Sequence, residues 1–347
     1  MSRSESGNYP PRAGVSSLRA GLCSIVIPVF NAAHLTQQCL QAIRDCTPDV
    51  PYEVVVVDNA SSDSTPALLA SNPGVRVLRN DQNHGFAVAC NQGAAIARGE
   101  YLLFLNNDTI PRAGWLRPLI QTLQTDAKIG IAGSKLIYPQ SGLIQHAGVA
   151  VDPDGNPFNM YRLFPADLPE ANVSRVMPGV TGASMLMRTR QFLELGGFDQ
   201  RYLNGYEDVE LCLRARRVGL ASYYCHTSEF VHFESMTPGR QSFDLVNNKL
   251  LRSEWAETLA ECGEYPWLAE MKHALVRYGD DVFKLSTDGR FVLMRGKTIY
   301  ECDRLPPRVE EIRNPAMRLL TRIRLRLRYW SYRESVRLAR REALRAA

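Results

Sequence analysis

Between residues 23 and 105 the chain alternates short β-rich runs with helix-like segments, and this spacing restricts it to a mostly parallel sheet flanked by helices. The runs CSIVIPV at 23–29, YEVVVVD at 52–58, VRVLR at 75–79 and EYLLFL at 100–105 read as strands. Four consecutive valines in the second suit a strand covered on both faces, since no polar face is left for water. Helical segments are expected at 34–44, after Ser64 with Pro66 in the first turn, and at 86–98. Further along, the pattern predicts a helix near 115–124, a short strand at 129–132, and a loop-rich, Gly- and Pro-containing region over 134–179. A strand-like stretch follows at 180–188, a helix at 206–218, an extended run at 223–233 and a helix at 243–261 around Trp255. Residues 262–312 hold a further helix and a hairpin over 282–300, turning at Asp288-Gly289.

With 45% hydrophobic and 22% charged residues over 347 positions, the chain has the composition of an ordinary globular protein. Its longest apolar runs, 25–30 and 101–105, fall far short of the ~20 residues needed to cross a bilayer. The first 21 residues, rich in Ser, Gly, Pro and Arg, lack an apolar signal core and read as a flexible leader. Eight cysteines are scattered without a C-x-x-C pair, and several sit in apolar-periodic segments as small hydrophobes, which points to a reducing, cytoplasmic compartment. Sequence does not show which sulfurs meet, so a disulfide is the competing reading.

Charge is concentrated at one end. Residues 313–347 contain 11 Arg and 2 Glu, a balance of +9 against a whole-chain +5, so the first 312 residues carry −4. Leu319, Ile323, Leu327 and Trp330 recur at helical spacing among the arginines, as in a basic amphipathic helix on an anionic membrane face. The run R-I-R-L-R-L-R at 322–328 also alternates strictly, so a strand or an arm that folds on binding competes with the helix. A protein partner or homo-oligomer contact, and a solvated tail or nucleic-acid contact, are the competing readings of such a tail.

In an open parallel sheet, reactive groups collect outside the carboxyl ends of the strands. Asp58 closes the second strand, Asp108 the fourth, and the first runs into Pro28-Val29-Phe30-Asn31. Taken singly, each is also an ordinary turn or helix cap. The first strand is followed by Asn31-Ala32-Ala33 where a dinucleotide fold needs G-x-G-x-x-G, and no P-loop occurs. Carboxylates repel phosphate unless a divalent cation lies between them. Glu207 and Asp208 open the helix at 206–218, where the macrodipole favours anions; they read as simple helix-start acids or as a general base facing a cleft. His232 ends an extended run as either a structural histidine or a metal ligand.

The ordered motifs SIVIPVFN, VVVVDNASSDST, NHGFAVACNQG, YLLFLNNDT, IQHAGV, VTGASMLMR, GYEDVELCLR and VHFES resemble those of family 2 glycosyltransferases, in particular bacterial rhamnosyltransferase-like members, over residues 22–258. The resemblance implies a GT-A fold: an α/β, Rossmann-like mixed sheet flanked by helices, over 22–261. A small α/β extension at 262–312 and the basic tail at 313–347 would follow. It implies that Pro28, Phe30, Asn31 and Asp58 cradle the base and ribose of a sugar nucleotide, with Asn83, Gly85, Asn91 and Asn107 in the same pocket. Asn106-Asn107-Asp108 stands where the family has D-x-D, so Asp108 is the expected ligand of Mg²⁺ or Mn²⁺, with His232 as a further contact, and Asn106 departs from the acidic first position. Asp208 matches the catalytic base, Glu207 its acceptor-side neighbour, and Thr181-Gly182-Ala183 the acceptor or donor-sugar loop.

The implied reaction is inverting transfer from a dTDP-, UDP- or GDP-sugar to a glycan hydroxyl carried on a polyprenyl diphosphate, at the inner face of the cytoplasmic membrane, in surface polysaccharide synthesis of the O-antigen or capsule kind. A non-catalytic adaptor of the same fold, and binding of nucleic acid through the tail, are the alternatives. Retention of Asp58, Asp108, Asp208 and His232 weighs against the adaptor.

Overall fold

The computed structural model describes residues 18–233 except 140 and 163, residues 243–265, 267 and 270, and the backbone of three strands between 282 and 301. The expected amphipathic tail at 313–347 and all but the end of the leader lie outside the described residues. Two compact units divide the chain, Met1–Tyr265 and Pro266–Ala347.

In the first unit β1 (Arg19–Val29), β2 (Tyr52–Asp58), β3 (Val75–Arg79) and β4 (Gly99–Leu105) are joined by α1 (Ala33–Cys46), α2 (Thr65–Ala70) and α3 (Phe86–Ile96). The strands run parallel in the order β3-β2-β1-β4, with Ile25 opposite both Val54 and Leu103. β1 starts four residues before its expected first residue, so Arg19 to Leu22 belong to the sheet and not to a leader. Alternation sorts the side chains onto two cores. Ile25, Ile27, Val54, Val56, Leu103 and Leu105 face one. Val26, Val55, Leu102 and Phe104 face the other. Both are closed to water, and each fully buried aliphatic side chain contributes about 1.5–3 kcal/mol, which is why these strands carry no polar face. At Gly93 a Cβ would come within 2.4 Å of Val26 Cγ1, so only glycine lets α3 lie this close to the sheet.

Beyond β4 the sheet becomes mixed. β5 (Thr109–Pro111), α4 (Leu116–Thr125) and a nine-residue β6 (Ile129–Ile137) follow. The stretch expected to be loop contains the second half of β6 and four three-residue strands, β7 (Ile144–His146), β8 (Val149–Val151), β9 (Pro157–Asn159) and β10 (Arg175–Met177). Strands this short do not repeat often enough to show a period, and the Gly and Pro residues between them carry the stronger local signal. Next come β11 (Ser184–Arg188), α5 (Thr189–Glu194), α6 (Glu207–Arg217) and β12 (Ala221–His232). β11 is antiparallel to β4 and β6, and β12 is parallel to β6. The strand expected over 180–188 begins only at Ser184, because the backbone at Thr181 and Gly182 bonds to side chains instead of to a neighbouring strand.

α7 (Asp244–Gly263) packs Leu251, Trp255 and Leu259 against Val149, Val209 and Leu213. The helix kinks at Trp255, whose ring lies 3.8 Å beneath the Arg217 guanidinium. In the second unit β13 (Val282–Leu285), β14 (Phe291–Arg295) and β15 (Thr298–Glu301) form an antiparallel sheet, the first two matching the expected hairpin.

Candidate active site

A cleft of about 140 Å³ opens at the carboxyl ends of the central strands. It is lined from the end of β1 by Pro28 and from just beyond it by Phe30, from the turn after β4 by Asn106, Asn107 and Asp108, from the loop before β11 by Thr181, Gly182 and Ala183, and from the start of α6 by Glu207 and Asp208. Asn83 and Gly85, just ahead of α3, line it as well, whereas the expected residues Asn31, Asp58, Asn91 and His232 are not among its lining residues.

One wall is built on the turn between β4 and β5. Because β5 pairs with the end of β12, Thr109 lies opposite His232, and the Phe233 N–H donates to the Asp108 carbonyl at 3.0 Å. The His232 ring, 3% exposed, is thereby brought against Asp108, with Nε2 3.1 Å from Oδ1. Asn106 Nδ2 is 3.3 Å from the same Nε2, and Gln145 Oε1 lies 2.5 Å from Nδ1. The amide nitrogen at Nε2 and the amide oxygen at Nδ1 match the tautomer with its proton on Nδ1, while a proton on Nε2 would instead be met by Asp108. In the first tautomer Nε2 and the carboxylate face each other as electron-pair donors, a juxtaposition that holds only with a cation or a proton between them. Asn107 Nδ2 donates to Thr36 Oγ1 at 2.9 Å, tying the turn to α1.

The opposite wall delivers the acids of α6. Asn204, Gly205 and Tyr206 all have positive φ, 53°, 151° and 73°, an arrangement that survives only where surroundings enforce it. Enforcement comes from the buried Asn247 amide, which donates to the Leu203 and Gly205 carbonyls at 3.0 and 2.9 Å. Glu207 is buried and its Oε2 accepts the Gly205 N–H at 2.6 Å. Asp208, half-buried, accepts from the Gly182 N–H through Oδ2 at 2.7 Å and from the Val209 N–H through Oδ1 at 2.8 Å. A Cβ on Gly182 would sit 3.3 Å from Asp208 Cβ and from the Phe86 ring, so the glycine keeps the carboxylate against the loop. Behind that loop, His146 Nε2 accepts the Thr181 N–H at 3.3 Å while Nδ1 donates to Asn159 Oδ1 at 2.9 Å. Burial lowers the pKa of this imidazole to about 4, the Asn159 contact opposing the shift.

At the third side, Phe30 stands 38% exposed at the rim. Asn31 and Asp58 are engaged just behind it: Asn31 Oδ1 accepts the Ser62 N–H at 2.8 Å, and Asp58 accepts from the Ser61 N–H and from Arg79 Nη1 at 2.9 and 3.0 Å. Asn83 Oδ1 accepts the Gly85 N–H at 3.0 Å, holding the turn into α3. Asn91 is not among the residues that line the cleft. Its amide makes a reciprocal pair with the Phe198 backbone, both bonds 2.8 Å, because it sits one helical turn too deep in α3 and is drawn to the chain before α6.

Sequence reasoning missed Asn59, Phe86 and Asn204, which line the cleft, and Gln145, His146 and Asn247, which hold its walls. Gln145 and His146 stand inside the quoted motif IQHAGV, yet nothing in their spacing says what lies above them in the fold.

Residues 24–190 match the family model described as Glycosyl transferase family 2. The fold is GT-A. Among curated proteins, the O-antigen biosynthesis protein RfbC of Myxococcus xanthus is 33% identical over 221 residues, covering 61% of this chain and 17% of that protein. An N-acetylglucosaminyl-diphospho-decaprenol L-rhamnosyltransferase of Mycobacterium tuberculosis is 27% identical over 219 residues, covering 55% of this chain and 69% of that one. The chain spans less than half the length of several curated relatives that it matches. Among solved structures, GalNAc-T7 with UDP, GalNAc and Mn²⁺ superposes with a TM-score of 0.54 at 18% identity, covering 73% of this chain and 54% of that one.

Proposed function

We propose that the chain is an inverting glycosyltransferase that moves a sugar from a dTDP-, UDP- or GDP-linked donor to a hydroxyl of a glycan acceptor. The observation that carries the reading is that Asp108, backed by the buried His232, and the Asp208 carboxylate from α6 line one cleft. Their chemistries are complementary. A departing nucleoside diphosphate needs positive charge, and an attacking hydroxyl needs a base.

Among the described residues no three His, Cys, Asp or Glu side chains gather as a metal-binding group. One carboxylate and one imidazole nevertheless fit Mg²⁺ or Mn²⁺, because such ions are commonly held by one or two protein ligands plus substrate phosphates. Asp108 and His232 would hold the ion, and when bound it supplies charge against the leaving diphosphate. Every other part is played by the chain itself. The Gly182 and Val209 N–H groups fix the plane of the Asp208 carboxylate at the cleft, where it would serve as the acceptor's base. It takes the proton as the hydroxyl attacks from the face opposite the leaving group. Phe30 offers an exposed ring for base stacking, while Thr181 and Glu207 border the acceptor side.

The names of the relatives support a rhamnosyl or related sugar and an acceptor on a polyprenyl diphosphate, in surface polysaccharide synthesis. An arginine-dense tail suits the anionic leaflet where such an acceptor is met. Among the described residues, no helix is long and apolar enough to cross a membrane. The testing experiment is a panel of sugar nucleotides scored for thermal stabilisation with and without Mn²⁺. A true donor at one hundred times its Kd stabilises by about 2.7 kcal/mol. Absence of stabilisation by every sugar nucleotide would end the proposal.

A further inference from the structure

We propose that Gln145 is a positioning residue for the cation site: its side-chain carbonyl fixes the His232 tautomer that presents Nε2 beside Asp108. The inference rests on the cation reading above and deepens it.

Gln145 is the middle residue of the three-residue strand β7, which pairs with β6 next to β12. It is 2% exposed and lies 87 residues from His232 in the chain, yet its Oε1 is 2.5 Å from His232 Nδ1. A buried imidazole beside a carboxylate has two neutral tautomers. With the proton on Nε2 it donates to Asp108 and offers no lone pair to a cation. With the proton on Nδ1 it offers Nε2. An acceptor at Nδ1 selects the second, and a ligating histidine characteristically donates its other N–H to such an oxygen. The Asn106 amide is compatible with the same tautomer, its Nδ2 lying 3.3 Å from Nε2.

Packing does not explain the residue. Gln145 Nε2 is buried with no hydrogen-bond partner among the described residues, so this amide costs the fold stability that an apolar side chain of the same shape would not. The neighbouring His146 serves the other wall through Thr181, so one short strand supports both the cation pair and the loop that holds Asp208. Gln145→Met therefore removes the acceptor while preserving shape. The imidazole can then turn its proton to Nε2 and satisfy itself on Asp108, which closes the site without unfolding anything.

The test is Mn²⁺ binding to the full chain, followed by electron paramagnetic resonance without nucleotide, together with the melting temperature. Gln145→Met should bind Mn²⁺ about 10–100-fold more weakly than wild type with its melting temperature retained. Gln145→Glu, which keeps an acceptor oxygen at Nδ1, should bind at least as well as wild type. His146→Phe, which disturbs the same strand but leaves Nδ1 paired, should keep Mn²⁺ affinity within about twofold. Wild-type affinity in Gln145→Met would overturn the inference, as would equal losses in Gln145→Met and His146→Phe. A wild-type chain that binds no Mn²⁺ would remove the cation reading, and the inference with it.

Discussion

Acidification should destabilise this protein through one buried imidazole. His146 is 1% exposed and both ring nitrogens are used by the neutral form, Nδ1 donating to Asn159 and Nε2 accepting from Thr181. Burial lowers its pKa from 6.5 to about 4, and the nearby His232 adds to the shift. Since the folded value lies below the unfolded one, the unfolded chain takes up the proton first as pH falls. The stabilisation is whole above about pH 6.5 and is lost as pH falls toward 4. Between pH 7 and pH 5 the linkage relation gives a loss of about 2 kcal/mol from this residue alone. For a domain of this size that is roughly 4–8 °C in Tm. Thermal denaturation of wild type and His146→Gln at both pH values isolates the contribution, because glutamine can still accept from Thr181 and does not ionise. The variant should lose about 2 kcal/mol less than wild type on acidification. Equal losses would refute the assignment of a neutral, buried His146.

Two further variants probe the cleft directly. Asp108→Ala should abolish the Mn²⁺-dependent part of donor stabilisation in the thermal assay, and an undiminished Mn²⁺ effect would remove Asp108 from the cation site. Gly182→Ala places a methyl 3.3 Å from Asp208 Cβ and the Phe86 ring, so turnover should fall about 10-fold or more by displacement of the carboxylate, while stability falls by about 1–3 kcal/mol. Unchanged turnover would show that the Gly182–Asp208 contact does not set the geometry of the reaction.

How much of this was legible in the sequence depends on the length over which a pattern repeats. β2 and β3 occupy the expected residues because runs such as VVVV between polar flanks admit no other covered strand. α6 is likewise where its periodicity puts it, with Glu207 and Asp208 in the first turn. The region 134–179 was misread because β7 to β10 are three residues each, below one full alternation, and their place is set by partners distant in the chain. Thr181 and Gly182 read as strand by composition, but a histidine and an aspartate claim their N–H groups. Asn91 shows the reverse limit: the resemblance implied a place in the pocket, and only the approach of Phe198 reveals that its amide is spent on backbone. Polar residues that hold other residues, such as Gln145 and Asn247, leave no local trace, since their function lies wholly in contacts 87 and more than 40 positions away.

The most direct measurement compares Asp208→Asn with wild type in sugar transfer and in donor binding on the same preparation. If Asp208 takes the acceptor's proton, turnover falls by about 10² to 10⁴ while donor-induced stabilisation is retained, because the asparagine can still accept from the Gly182 N–H. Transfer at near wild-type rate, or loss of donor binding in step with turnover, would contradict it.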